Sequence, residues 1–157
     1  MADTKSKSGS NSKKALVEAL NGALADHLAL YIKTKNFHWH VAGPRFRDLH
    51  LMFDEQAAQI IGVTDAIGER VRKNDEYTVT SIGNIGTITN IRNQDDVTIS
   101  PDAMVAELRD DNKKLLERLE DVKSASEAAG DNATNGIVDE WIDFAEERVW
   151  FLNQTTK

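Results

Sequence analysis

Apolar residues recur at three- and four-residue spacing through four long stretches of this 157-residue chain, which is the period of an amphipathic helix. The first stripe is Leu16, Leu20, Leu24, His27/Leu28, Tyr31, Thr34 and His38. The second runs Phe46, Leu49, Phe53, Ala57, Ile60, Ile61, Thr64, Ile67 and Val71. Gly62 and Val63 add small or apolar surface, as in a helix covered on more than one side. The third is Val105, Leu108, Asn112, Leu115, Leu119 and Val122, and the fourth Ile137/Val138, Trp141, Ala145, Arg148/Val149 and Leu152. The punctuation agrees. Ser12 is placed to cap a helix over 13–40, and Pro44 suits the first turn of one over 44–73. Ser100 and Pro101 open a third helix to about 129, and the turn Gly130-Asp131-Asn132 leads into a fourth over 132–154. Taken alone, TVTSIGNIGTITNI in the 74–100 segment reads as a strand pair. No other part of the chain offers strand partners, so this segment is expected to be a crossover with a short helix near 80–86. The expected fold is all-α: a four-helix bundle whose long connection lets helices two and three run parallel.

Four residues on the second stretch form a palindrome of metal-ligand types: His50, Asp54, Asp65 and Glu69. On one straight helix they fall within roughly a 100° arc. Asp54 and Asp65 are nevertheless about 16 Å apart along it, too far to share an ion. An antiparallel copy of the same helix removes the difficulty. A two-fold axis near Gln59/Ile60 sets His50 and Asp54 of one chain opposite Glu69 and Asp65 of the other, giving two equivalent sites per dimer. His38, at the end of the first stripe and just before the Ala42-Gly43-Pro44 break, is a fifth candidate. His40, two residues on, points to the opposite side of a helix. Taken singly, each of these residues is more readily explained by a solvated helix face or a hydrogen-bonded core histidine. Their joint register is what favours metal.

Composition narrows the chemistry. There is no cysteine, so disulfides, thiolate metal sites, iron–sulfur clusters and cysteine nucleophiles are excluded. A metal would be held by imidazole and carboxylate, which suits iron, manganese or zinc. The absence of cysteine fits a cytosolic protein. The opening MADTKSKSGSNSKK has no apolar core of a secretory signal, and no apolar run is long enough to span a membrane. The net charge of −7 argues against a DNA-binding surface over the whole body. The charge is uneven, however. Lys5, Lys7, Lys13 and Lys14 against Asp3 give the first fourteen residues +3, so the remainder carries −10. Residues 1–12 are read as a flexible lysine-containing tail and 13–157 as the bundle domain.

The run Phe37-His38-Trp39-His40-Val41, Gly43-Pro44-Arg45-Phe46, Leu49-His50, Phe53-Asp54-Glu55 and Asp65-Ala66-Ile67-Gly68-Glu69-Arg70 resembles the Dps family, the mini-ferritins. The likeness extends to Val149-Trp150-Phe151-Leu152 and covers nearly the whole chain. It implies a ferritin-like four-helix bundle, a hollow dodecamer, and ferroxidase sites at two-fold interfaces. There His38, His50 and Asp54 of one subunit and Asp65 and Glu69 of its mate would hold two iron ions. It also implies Fe(II) oxidation, preferably by hydrogen peroxide, storage of ferric mineral, protection of DNA, and a cytoplasmic, nucleoid-associated location. No Glu-x-x-His occurs, which counts against the intrasubunit di-iron site of ordinary ferritins.

The sequence departs from many relatives at Lys73-Asn74-Asp75. It departs again at Asn132 and Gly136, where several relatives carry the acids of the iron pore. Asp131, Asp139, Glu140 or Asp143 can supply that charge instead, or simply lie on solvated helix surface. Trp39 is either an electron donor beside the site or, the favoured reading, an interface aromatic. Lys5, Lys7, Lys13 and Lys14 are either phosphate contacts, strengthened by repetition over a shell, or solubilising charge. An alternative function is therefore a nucleoid-compacting protein with little ferroxidase activity. A third is a structural helical oligomer with neither.

Overall fold

In a computed structural model, which describes the backbone of residues 3–157 and side chains from residue 9, the chain is helical throughout its elements. These are α1 (Asp3–His40), α2 (Phe46–Gly62), α3 (Thr64–Lys73), α4 (Ile82–Ile88), α5 (Pro101–Ala129) and α6 (Asn132–Thr155). Among the described residues there is no strand, so the crossover reading of 74–100 holds, with its short helix two residues later than expected. α1 packs on α2, α3, α4 and α5, and α5 packs on α6. The four stripes converge on one core that includes Leu20, Phe37, Phe53, Ile67, Leu115, Trp141 and Leu152.

The ends of α5 and the start of α6 are built as the sequence implied, whereas Pro44 lies in the turn before α2, which begins at Phe46. Ser100 Oγ accepts from the Ala103 N–H at 3.1 Å with Pro101 in the first turn. Gly130 closes α5 in the left-handed region at φ 68°. Asp131 caps α6 by accepting from the Thr134 N–H at 3.0 Å. Ser81 does the same for α4 toward Asn84.

Three further expectations need correction. α1 is already helical at Asp3, upstream of the expected start at Lys13, so Ser12 lies inside the helix rather than at its cap. Nothing in residues 3–14 forbids this: there is no proline, and lysine is a good helix former. The second helix is divided at Val63 (φ −97°, ψ −10°) into α2 and α3. Small Gly62 and the Thr64 hydroxyl, which donates to the Ile61 carbonyl at 2.7 Å, accompany the break. Phe46, assigned to the core stripe, is 44% exposed because it begins α2 beyond the edge of the bundle.

The crossover is anchored by one buried carboxylate. Asp26 of α1 is fully buried. Its Oδ1 accepts from the Thr89 hydroxyl and the Asn90 N–H, each at 2.7 Å, and its Oδ2 accepts from Arg118 Nε at 2.9 Å. Arg118 reaches on to the Ile88 carbonyl at 3.0 Å. The guanidinium crosses directly over Gly22, where an added Cβ would sit 2.7 Å from Nη1. This knot ties α4 and its connection to α1 and α5.

Candidate metal centre

The end of α1 and the first turns of α2 run side by side, which brings His38 against His50. Each imidazole uses Nδ1 on the other residue's backbone carbonyl, both at 2.7 Å. A carbonyl only accepts, so Nδ1 carries a proton in both rings, and in the neutral imidazole it is Nε2 that holds the lone pair. The rings stack at 3.8 Å between centroids and 16° between planes. Phe46 covers the outer side, its ring centroid 5.0 Å from that of His50. These contacts fix both imidazoles before any ligand arrives.

Asp54, one helical turn beyond His50, completes the group: its Oδ1 lies 3.9 Å from His38 Nε2. The same oxygen accepts a hydrogen bond from Lys35 Nζ at 2.7 Å. That bond holds the Asp54 carboxyl below the usual carboxylate range. Lys35 also lies 5.7 Å over the ring of Trp39, which is 61% exposed. Lys35 was not singled out from the sequence. Its signal was present in the helical register, since it precedes His38 by three positions and shares its face.

One chain thus brings His38, His50 and Asp54 together and leaves Asp65 and Glu69 apart from them. Asp65 and Glu69 stand exposed on α3, beyond the Val63 break, and neither forms an ion pair or hydrogen bond with the histidines or Asp54. Glu69 pairs with Lys73 at 3.6 Å. Among the described residues no three His or carboxylate side chains gather within reach of one ion. His40 turns away and hydrogen-bonds Asn36.

The remaining candidates divide. Asp131 is engaged in structure: it takes a two-oxygen hydrogen bond from Arg70 at 2.9 Å and others from Thr134 and Asn74. Burial opposes ionisation there, but the bonds from Thr134, Asn74 and Arg70 prevail and hold its carboxyl well below the ordinary range. Asp139 pairs with Lys123 at 2.8 Å, while Glu140 and Asp143 are exposed on α6. Lys13 and Lys14 are exposed on α1; the side chains of Lys5 and Lys7 lie outside the described residues.

Apolar surface is also exposed on α1 and α4. Ile32 of α1 and Ile82 of α4 are 60% and 88% exposed. With Ile61, Ile85 and Ile91 they border an apolar cleft of about 440 Å³.

The Ferritin-like domain family matches residues 17–157. A DNA protection during starvation protein from Brevibacillus brevis is 31% identical over 140 residues, spanning 85% of this chain and 89% of its own. The crystal structure of a Dps protein from Bacillus brevis matches with a TM-score of 0.89 at 26% identity, covering 94% of this chain and 98% of that one. A Vibrio cholerae O1 Dps structure, described as belonging to a broad superfamily of ferritin-like diiron-carboxylate proteins, matches at 0.87 and 26%, covering 94% and 92%. With its helices and matched length in agreement, the chain belongs to the Dps branch of the ferritin-like family.

Proposed function

We propose that the protein oxidises and stores iron at sites shared between two subunits. His38, His50 and Asp54 of one subunit face Asp65 and Glu69 of the other, and two Fe(II) ions bind there as substrate. The observation that carries this reading is the reciprocal pair of Nδ1–H bonds, which commits both Nδ1 atoms to backbone and leaves the His38 Nε2 3.9 Å from Asp54 Oδ1. Imidazole and carboxylate together are ligands that suit Fe(II). Two Fe(II) together supply both electrons that one hydrogen peroxide needs. With two protons the products are two water molecules and two Fe(III), and no hydroxyl radical is released. The ferric ions then collect as mineral inside a dodecamer.

The partner that supplies Asp65 and Glu69 is a second copy of this chain. The apolar cleft around Ile32, Ile61 and Ile82 would cover itself in the same contact, since exposed apolar surface of this kind commonly marks an interface. Asp139, Glu140 and Asp143 are the candidates for a pore through which Fe(II) enters, and Trp39 for interception of stray oxidising equivalents.

The test is anaerobic Fe(II) loading of the purified oligomer followed by a pulse of peroxide. Oxidation of about two Fe(II) per peroxide, with little trapped radical, is expected from paired-iron chemistry. Oxidation no faster than free iron in buffer would remove the ferroxidase reading.

Lys35 sets the ease of loading. A cation arriving at Asp54 competes with the ammonium that already holds Oδ1. Lys35→Met should therefore tighten Co(II) binding to the assembled protein by a few-fold, the usual worth of an exposed ion pair. Calorimetric titration against wild type measures it; an unchanged affinity would mean that Lys35 leaves the carboxylate at no cost.

DNA association is proposed through the lysines of the first fourteen residues, of which Lys13 and Lys14 are exposed. It would be phosphate-directed, salt-sensitive and multiplied over the shell. Removing residues 1–12 should weaken gel retardation of duplex DNA sharply. Retardation equal to that of the full chain would exclude the N-terminal segment as the contact. The location that fits both activities is the cytoplasm, beside the nucleoid.

A further inference from the structure

The centre of the bundle holds a second polar constellation, which the shared site does not use. It is built around Arg148 of α6, which is 2% exposed. Its Nε donates to Asn112 Oδ1 of α5 and its Nη1 to Gln59 Oε1 of α2, both at 2.7 Å. Gln56, also of α2, donates to the Arg148 carbonyl at 3.4 Å. From α1 comes His27, buried, its Nδ1–H donating to the Ala23 carbonyl at 2.7 Å. Burial, with the nearby guanidinium charge assisting, pushes the His27 pKa down to about 3. Four helices therefore converge on one buried cation.

The surroundings of that cation are unusual. The groups that hydrogen-bond it are neutral amides and the imidazole near it is neutral. Glu147 acts on it only through space. Among the described residues Arg148 Nη2 meets no acceptor and Gln56 Oε1 no donor, though both are buried. Burial draws the guanidinium pKa down to about 10, which still leaves it charged at neutral pH. An isolated buried charge is costly, and an apolar side chain of similar size commonly serves stability as well or better. Ferritin-like bundles build di-metal sites from this kind of place, with inward carboxylates and histidines from four facing helices. Here the side chains that hydrogen-bond the guanidinium are neutral amides, and the carboxylates of Glu55 and Glu147 only border the small cleft that Arg148 also lines.

We propose that Arg148 is a tethered cation that closes the bundle interior to metal ions, so that iron is directed only to the site shared between subunits. This rests on the shared-site reading above. A divalent ion entering the bundle would meet a fixed positive charge in a medium less polarisable than water, where repulsion is several times stronger than in bulk. The His27 lone pair, Gln59 and Asn112 are thereby denied to metal although they are ligand types.

The experiment compares Co(II) uptake by four assembled proteins: wild type, His50→Ala/Asp54→Ala, Arg148→Glu, and all three changes together. Equilibrium dialysis counts the ions, and visible absorption reports imidazole ligation. Arg148→Glu inverts the charge and places a carboxylate among His27, Gln59 and Asn112. It should add about one Co(II) per subunit in either background, with an imidazole signature that His27→Phe removes. A folded Arg148→Glu shell that takes up no more cobalt than its parent would overturn the proposal. Should that variant not assemble, Arg148→Met removes the charge at similar size. It is expected to admit cobalt measurably at millimolar concentration, and no uptake above the parent would equally overturn it. Failure of the shared-site reading looks different: His50→Ala/Asp54→Ala would then bind as much cobalt as wild type.

Discussion

Replacing His50 and Asp54 together with alanine should reduce peroxide-driven Fe(II) oxidation to the rate of free iron in buffer, with the oligomer intact. The loss should exceed about 100-fold, because even the outer partners of metal ligands are worth about 10–100-fold. Two effects combine. The Asp54 carboxylate is removed, and so is the imidazole whose Nδ1–H holds the His38 carbonyl and whose ring stacks on His38. Assembly should survive, since the Asp54 side chain is 55% exposed and His50 is only half-buried. A complementary variant, Asp65→Ala/Glu69→Ala, should be equally inactive. Co-assembling the two gives the more demanding result. In a mixed dimer, the intact histidines of one subunit face the intact acids of the other across one of the two sites. Random mixing should then restore about a quarter of the wild-type activity, by the symmetry of a two-fold contact. Stopped-flow ferric absorbance on hybrids refolded from equal amounts of each variant measures this. Hybrids as inactive as their parents would show that the five residues do not act across a subunit boundary.

That complementation can be framed at all reflects how much of the site was legible in the residue order. The spacing of His50, Asp54, Asp65 and Glu69 depends only on helical register, so it could be read without coordinates. The break at Val63 weakens the single-helix geometry but leaves each half on its own regular helix. Helix ends were legible for a similar reason: Ser100, Pro101 and Gly130 act on the backbone within a turn of themselves. The start of α1 was not, because a stretch of lysine, serine and asparagine carries no apolar stripe to mark where a helix begins. Periodicity also placed Asn112 and Arg148 inward, yet could not reveal that they bond each other, thirty-six positions apart. The bond of Lys35 to Asp54 escaped notice for the same kind of reason: its partner is on another helix. Local pattern gives the face a residue occupies; which distant group it meets is decided by packing.

Asp26→Ala is the substitution expected to cost most in stability, and nothing in the sequence marks it. Asp26 reads as one acid among twenty-six acidic residues. In the fold it is fully buried and accepts from Thr89, Asn90 and Arg118, the last ninety-two positions away. Removing it strands the Arg118 guanidinium against Gly22 and leaves the Asn90 N–H without its acceptor. Breaking one partner of a buried, hydrogen-bonded ion pair costs about 3–5 kcal/mol. For a chain of this size that is a fall of roughly 10 °C in melting temperature at fixed protein concentration. Asp26→Asn should lose less, since its amide oxygen can still accept. The damage should also be local before it is global. Residues 82–91 are tied to α1 and α5 by this knot, and they carry the Ile82 and Ile85 that border the exposed apolar cleft. Limited proteolysis should therefore cut this segment in Asp26→Ala well below the melting transition, and size-exclusion chromatography should show subunits released at concentrations where the wild type stays assembled. A variant that melts within about 0.5 kcal/mol of wild type, the range of an ordinary surface change, would mean that the crossover is held by its isoleucines and not by the carboxylate. If the segment is cut while the oligomer persists, the cleft bordered by Ile82 is not the subunit contact, and the two-fold axis must be sought on another face of α2 and α3.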